Sequence, residues 1–514
     1  MTVKDILLNI KKWKGFETLR EELVKKQGKL TLKGVENAGA AYVSFAALSI
    51  SAPEKKMVYV APNDYAARRA HGDFNFLSGG KSLYLEHSEY MFYDALAKSS
   101  ETEYRRMEVI KKLAEGDYSV LVLSVETLMQ FMPAPKTAAY GSLKFSTGDI
   151  IEPFELADNL SAIGYARVNI IDGKRQFAVR GDVVDIFPTS SENPYRIEFY
   201  GDEIDSVRVF DIMTQRTVDY AESVEILADS EKSMSSSSES REDVCLRIEQ
   251  SLEEKLSGIE SLAEKKQIGE KIRADIESIR AGLDFPGEDR YIPFIIGREF
   301  SALDYVNEPV VFVEEPESVM RTAETVIDEH VKVCESIDRT IGVLEPLYNL
   351  YMSPEELSEK LDKYVCVSLE NYCPPEEKGL SLEVKTVGDP GGNLRIIDEL
   401  FDRWKKEKYS VCLLAGSKGK AERLRDLVED RGAGLGYSII VGNLSGSFEI
   451  PELGMAVMGD AGFTSKAAAK KAKSKRESDI ETFADIKPGD LVVHDVHGIG
   501  RFNGFKSISV EGVL

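Results

Sequence analysis

Residues 179–217 read VRGDVVDIFPTSSENPYRIEFYGDEIDSVRVFDIMTQRT. Short runs in which apolar and polar residues alternate, broken by Gly, Pro, Asn and Asp, predict β-strands with one buried face. Gly201-Asp202 falls between a run with Ile197 and Phe199 on one side and a largely apolar run with Ile204, Val207 and Val209, which predicts a hairpin. The same texture extends from about Gly141 to Ala228, read as a small β-rich domain.

On either side the texture differs. From Leu30 to about Val125, short β-branched runs (KKMVYVAPND, YSVLVLSVETLMQ) alternate with helical stretches, the pattern of a parallel sheet with crossover helices. Phe294 to Val313 returns to such material, ending in PVVFVEEPE, so the β-rich domain is read as an insertion in a discontinuous first domain. Between lies the serine-rich SEKSMSSSSES near Ser230, expected to be a solvated loop. A second βαβαβ rhythm from about Leu380 to Phe463 predicts another, smaller doubly wound sheet. Six basic residues without an acid lie between Lys466 and Arg476, read as a solvated linker. The segment IKPGDLVVHDVHGIGRFNGFKSISVEGVL, up to Leu514, reads as the first strands of a small β-barrel. The expected fold class is α/β multidomain. Residues 1–140 form the first part of a parallel-sheet domain, 141–228 the insertion and 229–345 the continuation. Residues 346–465 form the second α/β domain, 466–485 the linker and 486–514 the barrel.

Five hundred and fourteen residues exceed what one core organises, in keeping with several domains. The net charge of −23 disfavours coating of DNA or RNA by this chain alone. No run of about 18 apolar residues is present, so no membrane partner is expected. MTVKDILLNIKKWKGF lacks the uninterrupted apolar stretch of a secretory signal, so a cytoplasmic location is expected. Cys245, Cys334, Cys366, Cys373 and Cys412 include no CxxC pair and are read as reduced thiols, mostly in cores.

Glycine spacing of a phosphate-binding loop occurs at Gly34-Val-Glu-Asn-Ala-Gly39-Ala40-Ala41. Its chemistry is absent: Ala40 replaces the lysine that reaches the phosphates and Ala41 the hydroxyl that ligates magnesium. Gly80-Lys81-Ser82 lacks the first glycine and reads as a loop. Asp182 with Asp185, and Asp202 with Glu203 and Asp205, sit among arginines and read as salt-bridged surface acids. His494 and His497 have no third ligand nearby, so no metal is expected. No competent active site is legible and no cofactor is expected. Instead the insertion displays Tyr165, Arg167, Arg180, Phe187, Tyr195, Arg196, Phe199, Tyr200 and Arg208, residue types that suit a protein-protein contact.

The stretch 179–217 resembles the UvrA-interacting domain shared by the excision-repair protein UvrB and the bacterial transcription-repair coupling factors. KGVENAGAAY, IRAGLDFPGEDRYIPFI and KPGDLVVHDVHGIGRFNGFKSISVEGV resemble the coupling-factor family more than UvrB. The resemblance implies a UvrB-like module with a degenerate nucleotide loop and the start of a CarD-like, Tudor-type barrel. It implies a UvrA-facing surface at Arg167, Arg180, Phe187, Arg196, Glu198 and Phe199. It further implies an edge strand for the RNA polymerase β subunit around Phe505, Ile508 and Val510. The family's ATP- and magnesium-dependent DNA translocase motor, which makes most of the DNA contact, would follow residue 514. The expected function is the adaptor half of transcription-coupled excision repair. The rivals are a UvrB-type ATP-dependent damage-binding subunit, which Ala40 and Ala41 oppose, and a scaffold without a repair role.

Overall fold

The computed structural model describes residues 2–93, 101–135, 142–189, 191–228, 230–232, 234, 237, 239–283, 285–372, 380–432, 434–463, 491–494 and 498–501. Its main sheet has seven strands, all paired in parallel. These are β1 (Gly28–Lys33), β2 (Met57–Ala61), β3 (Ser82–Leu85), β4 (Val120–Ser124), β13 (Val310–Glu314), β14 (Val365–Glu370) and β15 (Leu380–Ser381). Their order is β15-β1-β14-β13-β2-β4-β3. The runs MVYVA, VLVLS and VVFVE are buried along their whole length, which explains their continuous apolar character: helices cover both faces.

The insertion leaves this sheet after β4, and the chain returns to it at β13 beside β2. It holds a two-stranded pair, β5 (Ser142–Ser146) with β12 (Ser223–Leu227), and a six-stranded sheet. The latter comprises β6 (Ala166–Arg167), β7 (Gln176–Arg180), β8 (Val183–Phe187), β9 (Tyr195–Tyr200), β10 (Glu203–Phe210) and β11 (Thr217–Ala221) in the order β11-β10-β9-β8-β7-β6. Tyr200 pairs with Glu203 across Gly201-Asp202, the expected hairpin, and Gly201 takes φ +66°, which a side chain would resist.

The boundary expected at residue 346 moves. β14 lies between β1 and β13 in the first sheet and β15 at its edge, so the second sheet begins only at β16 (Lys385–Val387). A short buried strand carries no mark of which sheet it joins. The second sheet, β16-β19-β20-β17-β18, adds β17 (Ser410–Ala415), β18 (Gly436–Val441), β19 (Ser447–Ile450) and β20 (Met455–Gly459). It is mixed, because β16, β19 and β20 pair antiparallel while β20, β17 and β18 are parallel. β21 (Leu491–His494) and β22 (Gly498–Arg501) form a hairpin. Phe505, Ile508, Val510, His497, Cys373 and the basic stretch Lys466 to Arg476 lie outside the described residues.

The helix Asn37–Ser51 sits between the two sheets and is buried along most of its length. Tyr42 donates to the Ile6 carbonyl at 2.9 Å and packs on Phe448. A helix covered on all sides needs no polar face, which is why NAGAAYVSFAALSIS has none. The seam is also clasped by Asp73, which accepts from the Ser445 backbone N–H at 2.5 Å and its hydroxyl at 2.6 Å. Burial pushes Asp73 up to about 6, against the opposing pull of those two hydrogen bonds. Between pH 3.8 and 6 the folded protein therefore holds a proton that the unfolded chain has released, so this group makes stability fall as pH rises through that window. Asp73→Asn is expected to remove a loss of about 3 kcal/mol between pH 4 and 7. Urea denaturation at those two pH values checks it.

The serine-rich segment is not simply a solvated loop. Ser230, Glu231 and Lys232 are buried, and Arg106 donates to Glu231 at 2.6 Å with both side chains almost inaccessible. Lys232 donates to Glu103 at 3.0 Å and to the Glu89 carbonyl at 2.7 Å. This segment returns the chain from the insertion, and its charges are matched by the helix Glu101–Glu115 rather than by water. Four cysteines, Cys245, Cys334, Cys366 and Cys412, are buried and free. Among the described residues no helix is long and apolar enough to cross a membrane.

Candidate protein-interaction face

Strand alternation divides the six-stranded sheet. Phe177, Val184, Ile186, Ile197, Phe199 and Val207 face a core shared with the helix Pro153–Ala162. The opposite face carries the charges. Arg196 reaches Asp185 with two parallel hydrogen bonds of 2.6 and 2.9 Å, touches Gln215 at 3.1 Å and lies over the Phe210 ring. Glu198 accepts from Ser206 at 3.0 Å and pairs with Arg208 at 2.5 Å, whose guanidinium lies over Tyr220. Arg180, exposed at the end of β7, donates to the Asn169 carbonyl at 3.2 Å and stands 3.9 Å from Asp185. Arg167 is exposed on the edge strand β6. Around these lie Tyr200, 84% exposed, Met213, 87% exposed, Val218 and Tyr220.

The face thus brings together Arg180, Arg196 and Glu198, with Arg167 at its margin. Two expected members are not exposed on it. Phe199 points into the inner core, and Phe187 is covered in a small cluster with Ile171, Ala178 and Phe210. Tyr165 is buried as well, its hydroxyl donating to the Leu227 carbonyl. Asp185, read as a surface acid, is 2% exposed and serves as the buried counter-charge of Arg196. Met213, Val218 and Tyr220 escaped the sequence reading, although the aromatic and apolar residues in IMTQRTVDY carried the signal. The pair's burial has a consequence: Arg196→Ala leaves Asp185 desolvated and is expected to cost about 3 kcal/mol. A thermal melt of the variant checks this, and lost partner binding there would report a damaged fold.

The degenerate loop is filled by protein. The Gly34 N–H donates to Glu370 and its carbonyl accepts from the Val384 N–H at 2.8 Å. A Cβ on Gly39 would stand 2.2 Å from Val384 Cγ1, and Ala40 and Ala41 are 1% exposed. Arg69 donates to Asn37 at 2.8 Å and to Glu314, at the end of β13, at 2.9 Å. Burial raises the Glu314 carboxyl and Arg69 opposes that shift, so a guanidinium of the chain itself occupies this corner of the crevice. Lys81 lies in a loop, paired with Asp117 at 2.6 Å.

Residues 143–231 match the model of the UvrB interaction domain, and residues 486–514 match that of the CarD-like/TRCF RID domain. The chain is 22% identical over 497 residues to the transcription-repair-coupling factor of Bacillus subtilis, covering 93% of this chain and 42% of that protein. It is 24% identical to that of Myxococcus xanthus, covering 89% and 41%, and 25% identical to that of Haemophilus influenzae, covering 89% and 40%. The chain therefore spans ~40% of the length of these relatives. Along ~90% of its own length the chain is similar to part of the transcription-repair-coupling factors, and it carries matches to the UvrB interaction domain and the CarD-like/TRCF RID domain.

Proposed function

We propose that this chain is the adaptor portion of a transcription-coupled excision-repair factor. The insertion recruits UvrA, the segment around Phe505, Ile508 and Val510 contacts the RNA polymerase β subunit by strand addition, and ATP-driven translocation on DNA belongs to a motor outside these residues. The observation that carries the reading is the outer face of the inserted sheet, which lies inside the match to the UvrB interaction domain. That sheet carries internally paired charges, the exposed Arg180, and the exposed Tyr200, Met213 and Tyr220. Paired guanidiniums stiffen the surface, and the exposed arginines and aromatics supply directional and apolar contact.

On this reading the first domain is a UvrB-like fold that has given up nucleotide chemistry, and the C-terminal hairpin opens a Tudor-like barrel. The cytoplasm is where both partners work. No cofactor is needed for recognition, and the UvrB-type alternative is disfavoured because the loop it requires is packed against Val384. Co-elution of the purified chain with UvrA on size exclusion is the direct test. A stable complex supports the proposal, and separate elution at concentrations of tens of micromolar contradicts it.

A further inference from the structure

A second exposed patch lies on the insertion, beyond the Tyr200–Glu203 end of the charged outer face. Ile150 is 82% exposed and Phe154 is 64% exposed. They are brought to one corner by the turn that precedes the helix Pro153–Ala162: the Ile151 N–H donates to the Asp202 carbonyl at 2.7 Å, the Ile204 N–H donates to that of Asp149 at 2.9 Å, and Ile150 bridges to Glu203. Leu156, Ala157 and Leu160 turn that helix's buried side to the inner core, leaving Phe154 in solvent. Asp149, Glu152, Glu155, Asp202 and Glu203, on the same turn, helix start and hairpin, are exposed. No Lys or Arg occurs between Lys144 and Arg167 or between Arg196 and Arg208, and among the described residues none of these five acids is in an ion pair. Glu152 and Glu155 also suit a helix N-terminus. Among the described residues neither the Ile150 nor the Phe154 side chain joins a hydrophobic cluster.

We propose that this corner docks a basic segment of another protein, one or two large apolar side chains resting on Ile150 and Phe154 while flanking lysines or arginines meet the acidic ring. Two exposed apolar anchors ringed by unpaired like charge fit an amphipathic cation, whereas a second copy would bring acid against acid. The corner adjoins the UvrA-facing surface at the hairpin, where Glu203 pairs with Tyr200, but shares none of its arginines.

The test titrates the full chain with a synthetic fourteen-residue leucine-lysine amphipathic peptide, followed by fluorescence anisotropy at low and at physiological salt. One-to-one binding is expected, weakened by salt and at least tenfold weaker in Ile150→Ser/Phe154→Ser and in Glu152→Lys/Glu155→Lys. Circular dichroism checks that each variant is folded; these are surface positions. A lysine-serine peptide of equal charge is expected to bind at least tenfold less tightly. Glu253→Lys/Glu254→Lys, on the helix Arg241–Gly258, is expected to leave the peptide affinity unchanged. Equal affinity for all variants would mean diffuse attraction to an acidic chain and would overturn the proposal, as would loss confined to the Glu253/Glu254 variant. Concentration-dependent dimers that Ile150→Ser/Phe154→Ser dissolves would assign the patch to a second copy and overturn it too.

Discussion

Arg106→Ala is expected to destabilise the protein by about 3–5 kcal/mol, because it strands Glu231 in an interior that admits almost no water. Arg106 also donates to the Glu86 carbonyl, so the truncation leaves a second acceptor unmet. The neighbouring Lys232–Glu103 pair shares the same helix, and both pairs fasten the segment by which the chain leaves the insertion. Loosening should be local first: amide exchange is expected to accelerate in residues 230–232 and in the helix Glu101–Glu115 before it does in the second sheet. Arg106→Met combined with Glu231→Leu should recover much of the loss, since the penalty comes from one orphaned charge rather than from the absent attraction. Urea denaturation of the two variants beside the wild type measures both effects. A single variant as stable as the wild type would mean that water reaches this pair.

Ala40→Lys/Ala41→Thr, which rewrites the loop toward a working phosphate-binding motif, is expected to abolish folding of the region without creating ATP hydrolysis. Both alanines are 1% exposed in the buried helix Asn37–Ser51, next to Gly39, which packs on Val384 and Phe448. A lysine there must bury an ammonium without a partner or force the packing around this helix apart, and even a neutral unpaired polar group costs roughly 2–7 kcal/mol. Arg69 already answers Asn37 and Glu314, so phosphate would meet an occupied corner. Denaturation and phosphate release, measured together, decide the matter. A folded double variant that turns over ATP would show that the second sheet does not close the loop.

Much of this architecture was legible because burial leaves a pattern. Continuous runs such as VYV and VLVL indicate strands covered on both faces, and Gly201-Asp202 marks a reversal that few other residues allow. The loop's missing lysine and hydroxyl were equally readable. What the sequence hides is long-range pairing. YVCVSLE reads the same in either sheet, and only its register against Gly28–Lys33 and Val310–Glu314 puts it in the first. SEKSM reads as solvent-facing because serine and charge usually are, yet Glu231 and Lys232 find partners more than a hundred residues earlier. Family resemblance marked Phe187 and Phe199 as contacts, whereas sheet alternation and the cover from Ile171 and Phe210 make them core.

The central claim, that the outer face of the inserted sheet recruits UvrA, is tested most directly by titrating the chain with purified UvrA beside Arg167→Ala and Arg180→Ala. Both arginines are exposed and outside the buried Asp185–Arg196 pair, so their removal should leave the fold intact by circular dichroism. Each lost charge-assisted contact is expected to cost about 1.5–3 kcal/mol, roughly a ten- to hundredfold weakening of saturable wild-type binding. Binding of equal strength in the wild type and both folded variants, or none in any of them, would contradict the claim.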